Sequence, residues 1–173
     1  GEIVPANFYY SNVAAGNFTT GTDWLGGVAP VTGSTAVIRN GHNMTLNTSI
    51  SLGNLTINTG GTFTGSDGSI RTLTVAIGGT FSNSGTVTPT ATGTVSFAGS
   101  GIFAGSSAIS LTSFSFVNSA TVAISNSVSV AQAYTFASGA GYTFVFNNST
   151  FTCTGITTTG ANTLTLTNGT TSV

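Results

Sequence analysis

Short runs in which apolar and polar residues alternate recur along the whole chain. Leu55-Thr56-Ile57, Leu73-Thr74-Val75, Val95-Ser96-Phe97, Phe114-Ser115-Phe116, Tyr134-Thr135-Phe136 and Leu164-Thr165-Leu166 are the clearest, and Ala36-Val37-Ile38 and Met44-Thr45-Leu46 precede them. A period of two is that of a strand with one buried face. The pattern therefore predicts short strands with Leu, Ile, Val and Phe pointing inward and Thr and Ser pointing out. One repeat is sharper than the rest. Residues 55–64 read LTINTGGTFT and residues 73–82 read LTVAIGGTFS, an offset of 18 residues. Repeats of this length are units that stack on one another because none buries its apolar face alone. Eighteen residues of mostly extended chain span about 60 Å, which folds into two or three strands with tight corners. That is one coil of a parallel β-helix, with glycine at the corners supplying positive φ. The predicted fold is all-β: a β-solenoid of roughly seven coils over residues 33–173, a rod of about 30–35 Å at about 4.8 Å per coil. An antiparallel β-sandwich or jelly-roll pilin-like fold is the rival with the same composition. The 18-residue repeat favours the solenoid.

Residues 1–32 lack that repeat. They hold Phe8, Tyr9, Tyr10, Phe18, Trp24 and Leu25, with Pro5 and Pro30. Solenoids need a cover over the first coil, so this segment is expected to be an N-terminal cap. It is also expected to offer an arm: Ile3, Val4, Phe8, Tyr9 and Tyr10 form an apolar stretch that could add as a strand to a neighbouring subunit.

Composition narrows the function classes. The chain carries Glu2, Asp23, Arg39, Asp67 and Arg71 and no other full charge; nothing from Thr72 to Val173 is Asp, Glu, Lys or Arg. Two arginines cannot neutralise a phosphate backbone, so nucleic acid is excluded as a partner. Acids, bases and metal ligands are too few for most catalysis, and neither a catalytic residue nor a metal or cofactor site is nominated. Asp67 sits in the turn-like Ser66-Asp67-Gly68-Ser69, within reach of Arg71. The single Cys153 lies in the strand-like Thr150-Phe151-Thr152-Cys153-Thr154 and reads as a small buried hydrophobe. Nothing in the sequence links it to the single His42. No run of 18 apolar residues spans a membrane. Thr (34), Ser (22), Asn (15) and Gly (24) dominate, yet Leu, Ile, Val and Phe still number 44, too many for a disordered chain with a net charge of −1. Seven Asn-x-Ser/Thr matches, at Asn17, Asn43, Asn47, Asn54, Asn147, Asn148 and Asn168, are little above chance in so hydroxyl-rich a chain. Glycans on Asn or Ser/Thr stay open as partners.

The order Trp24, Pro30, Thr35-Ala36-Val37-Ile38-Arg39-Asn40-Gly41, then Leu52-Gly53-Asn54-Leu55-Thr56-Ile57, then Gly60-Gly61-Thr62-Phe63 resembles secreted bacterial β-solenoid surface proteins. The later Gly93–Gly99 and Leu164–Gly169 runs are similar to the same group. The resemblance covers about residues 23–173 and implies an adhesin-like or surface-filament protein. With no apolar leader segment in view, the chain is expected to be secreted, extracellular or on the cell surface, and already cleaved from its signal.

The leading expectation is a structural subunit that assembles with itself head to tail into an extracellular filament or appendage. Two features motivate it. The run from Asn162 to Val173 has neither charge nor proline to guard a strand edge, and Leu164 and Leu166 alternate within it. A net charge of −1 leaves little self-repulsion. A head-to-tail contact that does not close makes a filament. The alternative is a monomeric binding module: an adhesin, a glycan binder or an ice binder. A glycan platform would have to come from the scattered Trp24, Tyr9, Tyr10, Tyr134 and Tyr142. An ice face would need Thr-x-Thr pairs such as Thr62/Thr64 and Thr72/Thr74 to lie one coil apart on one side.

Overall fold

The computed structural model describes residues 3–116, 119–132, 134–136, 141–147, 149–158, 163–167 and 170–172. The chain is a three-faced parallel β-solenoid, so the all-β solenoid expectation holds and the sandwich is set aside. The first face is a continuous sheet of eight strands: Phe8–Tyr10, Thr35–Ile38, Asn54–Ile57, Thr80–Asn83, Gly101–Ala104, Ala120–Ile124, Gly141–Phe146 and Thr163–Thr167. Seven of these follow residue 32. The second face comprises Ala15–Asn17, Asn43–Thr45, Thr62–Thr64 and Thr86–Thr88, then a separate sheet of Ile109–Leu111, Val128–Val130, Thr150–Cys153 and Thr170–Ser172. The third comprises Ile50–Leu52, Arg71–Val75, Gly93–Phe97 and Ser113–Phe116, then the pair Tyr134–Phe136 and Ile156–Thr158. The chain visits the faces in that order on each circuit, and every ladder is parallel.

The circuit is not the 18-residue unit that the sequence suggests. Thr35 pairs with Asn54 after 19 residues, Leu55 with Phe81 after 26, and Phe81 with Phe103 after 22. The LTINTGGTFT copy joins a first-face strand to a second-face strand, whereas LTVAIGGTFS joins a third-face strand to a first-face strand. What repeats is therefore a strand–corner–strand element two faces further on, and not a coil. The reason is local. Gly60 and Gly78 both have φ of 78°, a conformation that side chains resist. The glycine after each then lies against the backbone of the coil before it. A Cβ on Gly61 would come within 2.8 Å of the Arg39 carbonyl oxygen, and one on Gly79 would overlap the Gly53 carbonyl oxygen. Two corners with the same backbone demand the same residues, whichever faces they connect.

Alternation works as the pattern requires. Leu55, Ile57, Leu73, Val75, Phe81, Phe97, Phe103, Val122 and Ile124 are fully buried, and Thr56, Thr72, Thr74 and Ser82 between them are only partly covered. Burying a side chain of this size contributes about 1.5–3 kcal/mol. A line of rings runs through the core: Trp24–Phe18 at 5.2 Å between centroids, Phe18–Phe63 at 5.9 Å, Phe63–Phe81 at 6.1 Å and Phe81–Phe103 at 5.9 Å. It continues through Phe114 and Phe151 to Phe144. The first four contacts are edge-to-face, the favourable geometry for ring quadrupoles. Cys153 is buried at the far end, its thiol against the Gly155 carbonyl.

Candidate functional site: the two ends of the solenoid

The capped end is built by residues 3–32. Phe8–Tyr10 pairs in parallel with Thr35, Ala36 and Val37, and Ala15–Asn17 with Asn43–Thr45, so this segment supplies the first rung of two faces. A 3-10 turn, Gly21–Asp23, then brings Trp24 back over the rung. Trp24 and Phe18 are each 1% exposed. The Trp24 indole N–H donates to the Asn17 carbonyl at 3.3 Å, and the Asp23 carboxylate accepts the Asn17 N–H at 2.8 Å. Residues 23–25 also run antiparallel along the outer edge of residues 10–12: the Asn12 N–H donates to the Asp23 carbonyl at 2.8 Å, and the Leu25 N–H to the Tyr10 carbonyl at 2.8 Å.

This placement bears on the expected arm. Phe8, Tyr9 and Tyr10 are already a strand of their own solenoid, with Tyr9 packed on the core and Phe8 stacked on Tyr10 outside. Arg39 lies over the Tyr10 ring at 5.1 Å, a cation–π contact. Among the described residues, Ile3 and Val4 lie at the start of this segment: Ile3 is 94% exposed and Val4 half-buried. Phe8, Val28 and Val31 are also exposed, so this segment carries several uncovered apolar side chains. Sequence reasoning missed Val28 and Val31, which lie among Gly and Pro and belong to no alternating run.

At the far end Thr163–Thr167 is the outermost strand of the first face, with Leu164 in register with Tyr142 and Leu166 with Phe144. Its backbone pairs on one side with Gly141–Val145 and is terminal on the other. Parallel strands with one open edge are templates for a further strand.

The polar side chains between the ends bind one another and the backbone. Arg71 grips Asp67 with two bonds, Nε to Oδ1 at 3.0 Å and Nη2 to Oδ2 at 2.9 Å. That guanidinium, helped by the Ser69 N–H, holds the Asp67 carboxyl down at about 2. The Ser11 hydroxyl takes the Arg39 N–H at 2.9 Å and hydrogen-bonds His42 Nδ1 at 2.8 Å, tying the first rung to the second. His42 and Cys153 thus lie on different rungs with separate partners. Asn47 and Asn54 use their amides to bridge rungs, to Thr19 and to Thr35 and Thr80; Asn148 and Asn168 lie outside the described residues. Among the described residues no three His, Cys, Asp or Glu side chains gather as metal ligands, and no helix is long and apolar enough to cross a membrane. A dent lined by Phe63, Val87, Pro89 and Leu111 has room for about one water. No protein-family model, curated protein or solved structure matches this chain.

Proposed function

We propose that the chain is a structural subunit of an extracellular filament or surface appendage, in which solenoids join head to tail. The observation that carries this reading is the end of the eight-stranded sheet: among the described residues the outermost strand, Thr163–Thr167, pairs on one side, and it has no charge or proline along it. Soluble β-proteins protect such edges with those residues. The uncovered Phe8, Val28 and Val31 of the cap segment supply apolar surface for the partner contact. Net charge of −1 leaves copies little repulsion to overcome. Because residues 23–25 shield part of the first rung, end-on packing of the cap fits better than donation of Phe8–Tyr10.

Electron microscopy of the native material is the test. Filaments with an axial repeat of about one solenoid length are expected. Only monodisperse monomer from the native source, at high concentration, would sink the reading. Removing residues 1–6 separates the two joints, since the first rung stays intact: end-on packing survives the deletion, and a donated arm does not.

A further inference from the structure

The third face carries a two-dimensional array of hydroxyls. In its four-stranded sheet, Ser51 pairs with Thr74, Thr74 with Ser96, and Ser96 with Ser115, forming one rank up the rod. Thr72, Thr94 and Ser113 form a second, parallel rank. Ser49 extends it, its hydroxyl accepting the Thr72 N–H at 3.0 Å. Between the ranks Leu73, Val95 and Phe114 point into the core, which turns the hydroxyls outward. Ser96 is covered at 3% exposure, and the others remain partly open or exposed. Irregular spacing in the sequence hides the array: the pairs begin at 49, 72, 94 and 113, and Ser49, Ser51, Ser96, Ser113 and Ser115 stand where a Thr-x-Thr search looks for Thr.

From this we infer that the third face is a binding surface for ice. Its spacing is set by the sheet, at about 4.8 Å between rungs and about 6.6 Å between alternate residues of a strand. Crystalline water presents oxygen rows with comparable repeats in two perpendicular directions. A rigid array can therefore hold a patch of water in nearly the arrangement that the crystal needs, and threonine side chains are stiff at χ1. Charge would hydrate the face in a different geometry, and the nearest charges, Arg71 and Asp67, are bound to each other. No aromatic side chain stands among the two ranks, which disfavours a polysaccharide crystal. The exposed Ile70 and Ile77 flank the strand Arg71–Val75 outside the two ranks, so within the array itself no large apolar side chain offers an anchor for a protein partner.

Ice growth in the presence of the purified protein is the experiment, read as thermal hysteresis and as inhibition of recrystallisation. The wild type is expected to halt growth between the melting and freezing points. Thr74→Tyr, which breaks the array, is expected to lose most of that activity. Thr64→Tyr interrupts the separate rank Thr45, Thr64 and Thr88 on the second face and keeps the activity, as does every variant whose circular-dichroism melt matches the wild type and whose third face is intact. A folded wild type without effect on ice growth overturns the inference. So does equal damage from Thr64→Tyr, or adsorption to cellulose or chitin particles in place of ice. Filament formation is scored separately by microscopy, so each reading can fail alone.

Discussion

Glycines at the corners decide how closely the coils stack. At Gly79 an added methyl would overlap the Gly53 carbonyl and press on Val75 at 2.7 Å. Gly79→Ala is expected to destabilise by about 1–3 kcal/mol, the usual cost of overpacking. Gly141→Ala, with open space around its Cβ, should stay within about 0.5 kcal/mol. Urea denaturation of both variants checks the contrast. Asp67 gives a pH effect on the acid side. Its carboxyl sits at about 2 in the fold against an ordinary 3.8, so its contribution is present above 3.8 and disappears as pH falls through 2. The pair is solvent-exposed, so the effect is small. Melting temperatures of wild type and Asp67→Asn should differ slightly at neutral pH and converge near pH 2; a gap that widens in acid would contradict the assignment. Residue identity alone does not separate a buried Asn from an exposed one. Asn83 is fully buried, donating to the Ser107 and Ala108 carbonyls and accepting the Gly85 N–H, yet Asn83-Ser84-Gly85 reads in sequence as an ordinary turn.

Strands were legible because a half-buried strand must alternate, and Leu55-Thr56-Ile57 and Leu73-Thr74-Val75 do so in the fold. Their assignment to faces was not legible. All three faces meet the same core and so impose the same local pattern, and the Gly-Gly corner is shared between different face pairs. The excursion around Asp67–Ile70 lengthens one circuit, and Leu73 falls on the third face, so Leu55 meets Phe81. The terminal strand carries the prediction at this scale. Thr165 pairs with Thr143 in its outermost position. A lysine there puts charge on the open edge, a device that blocks strand addition. Thr165→Lys is expected to leave the melt unchanged and to abolish polymers in sedimentation; polymers of undiminished length would remove that edge from the joint.

For the whole molecule, near-absence of charge turns from an exclusion into a property. Salt acts on exposed charges, and few exist here. Fold and assembly should persist across low and high ionic strength, as light scattering can follow. A sharp loss of either in moderate salt would point to a joint built on ion pairs. The candidate ends were half legible: alternation and the missing charges pointed to Leu164 and Leu166, but Phe8–Tyr10 looked like a free arm. Its partner strand, Thr35–Ile38, lies 27 residues on, farther than the repeat gave reason to search.

In this rod the backbone hydrogen bonds lie along the axis, so a tensile load is carried by the rungs in series and the weakest rung sets the breaking force. The first face is laddered throughout. Among the described residues, the second face has no ladder between Thr86–Thr88 and Ile109–Leu111, although these strands pack side by side. The third has none between Ser113–Phe116 and Tyr134–Phe136. Pulled from its two ends, the molecule should part first at those two seams, yielding in segments instead of a single rupture.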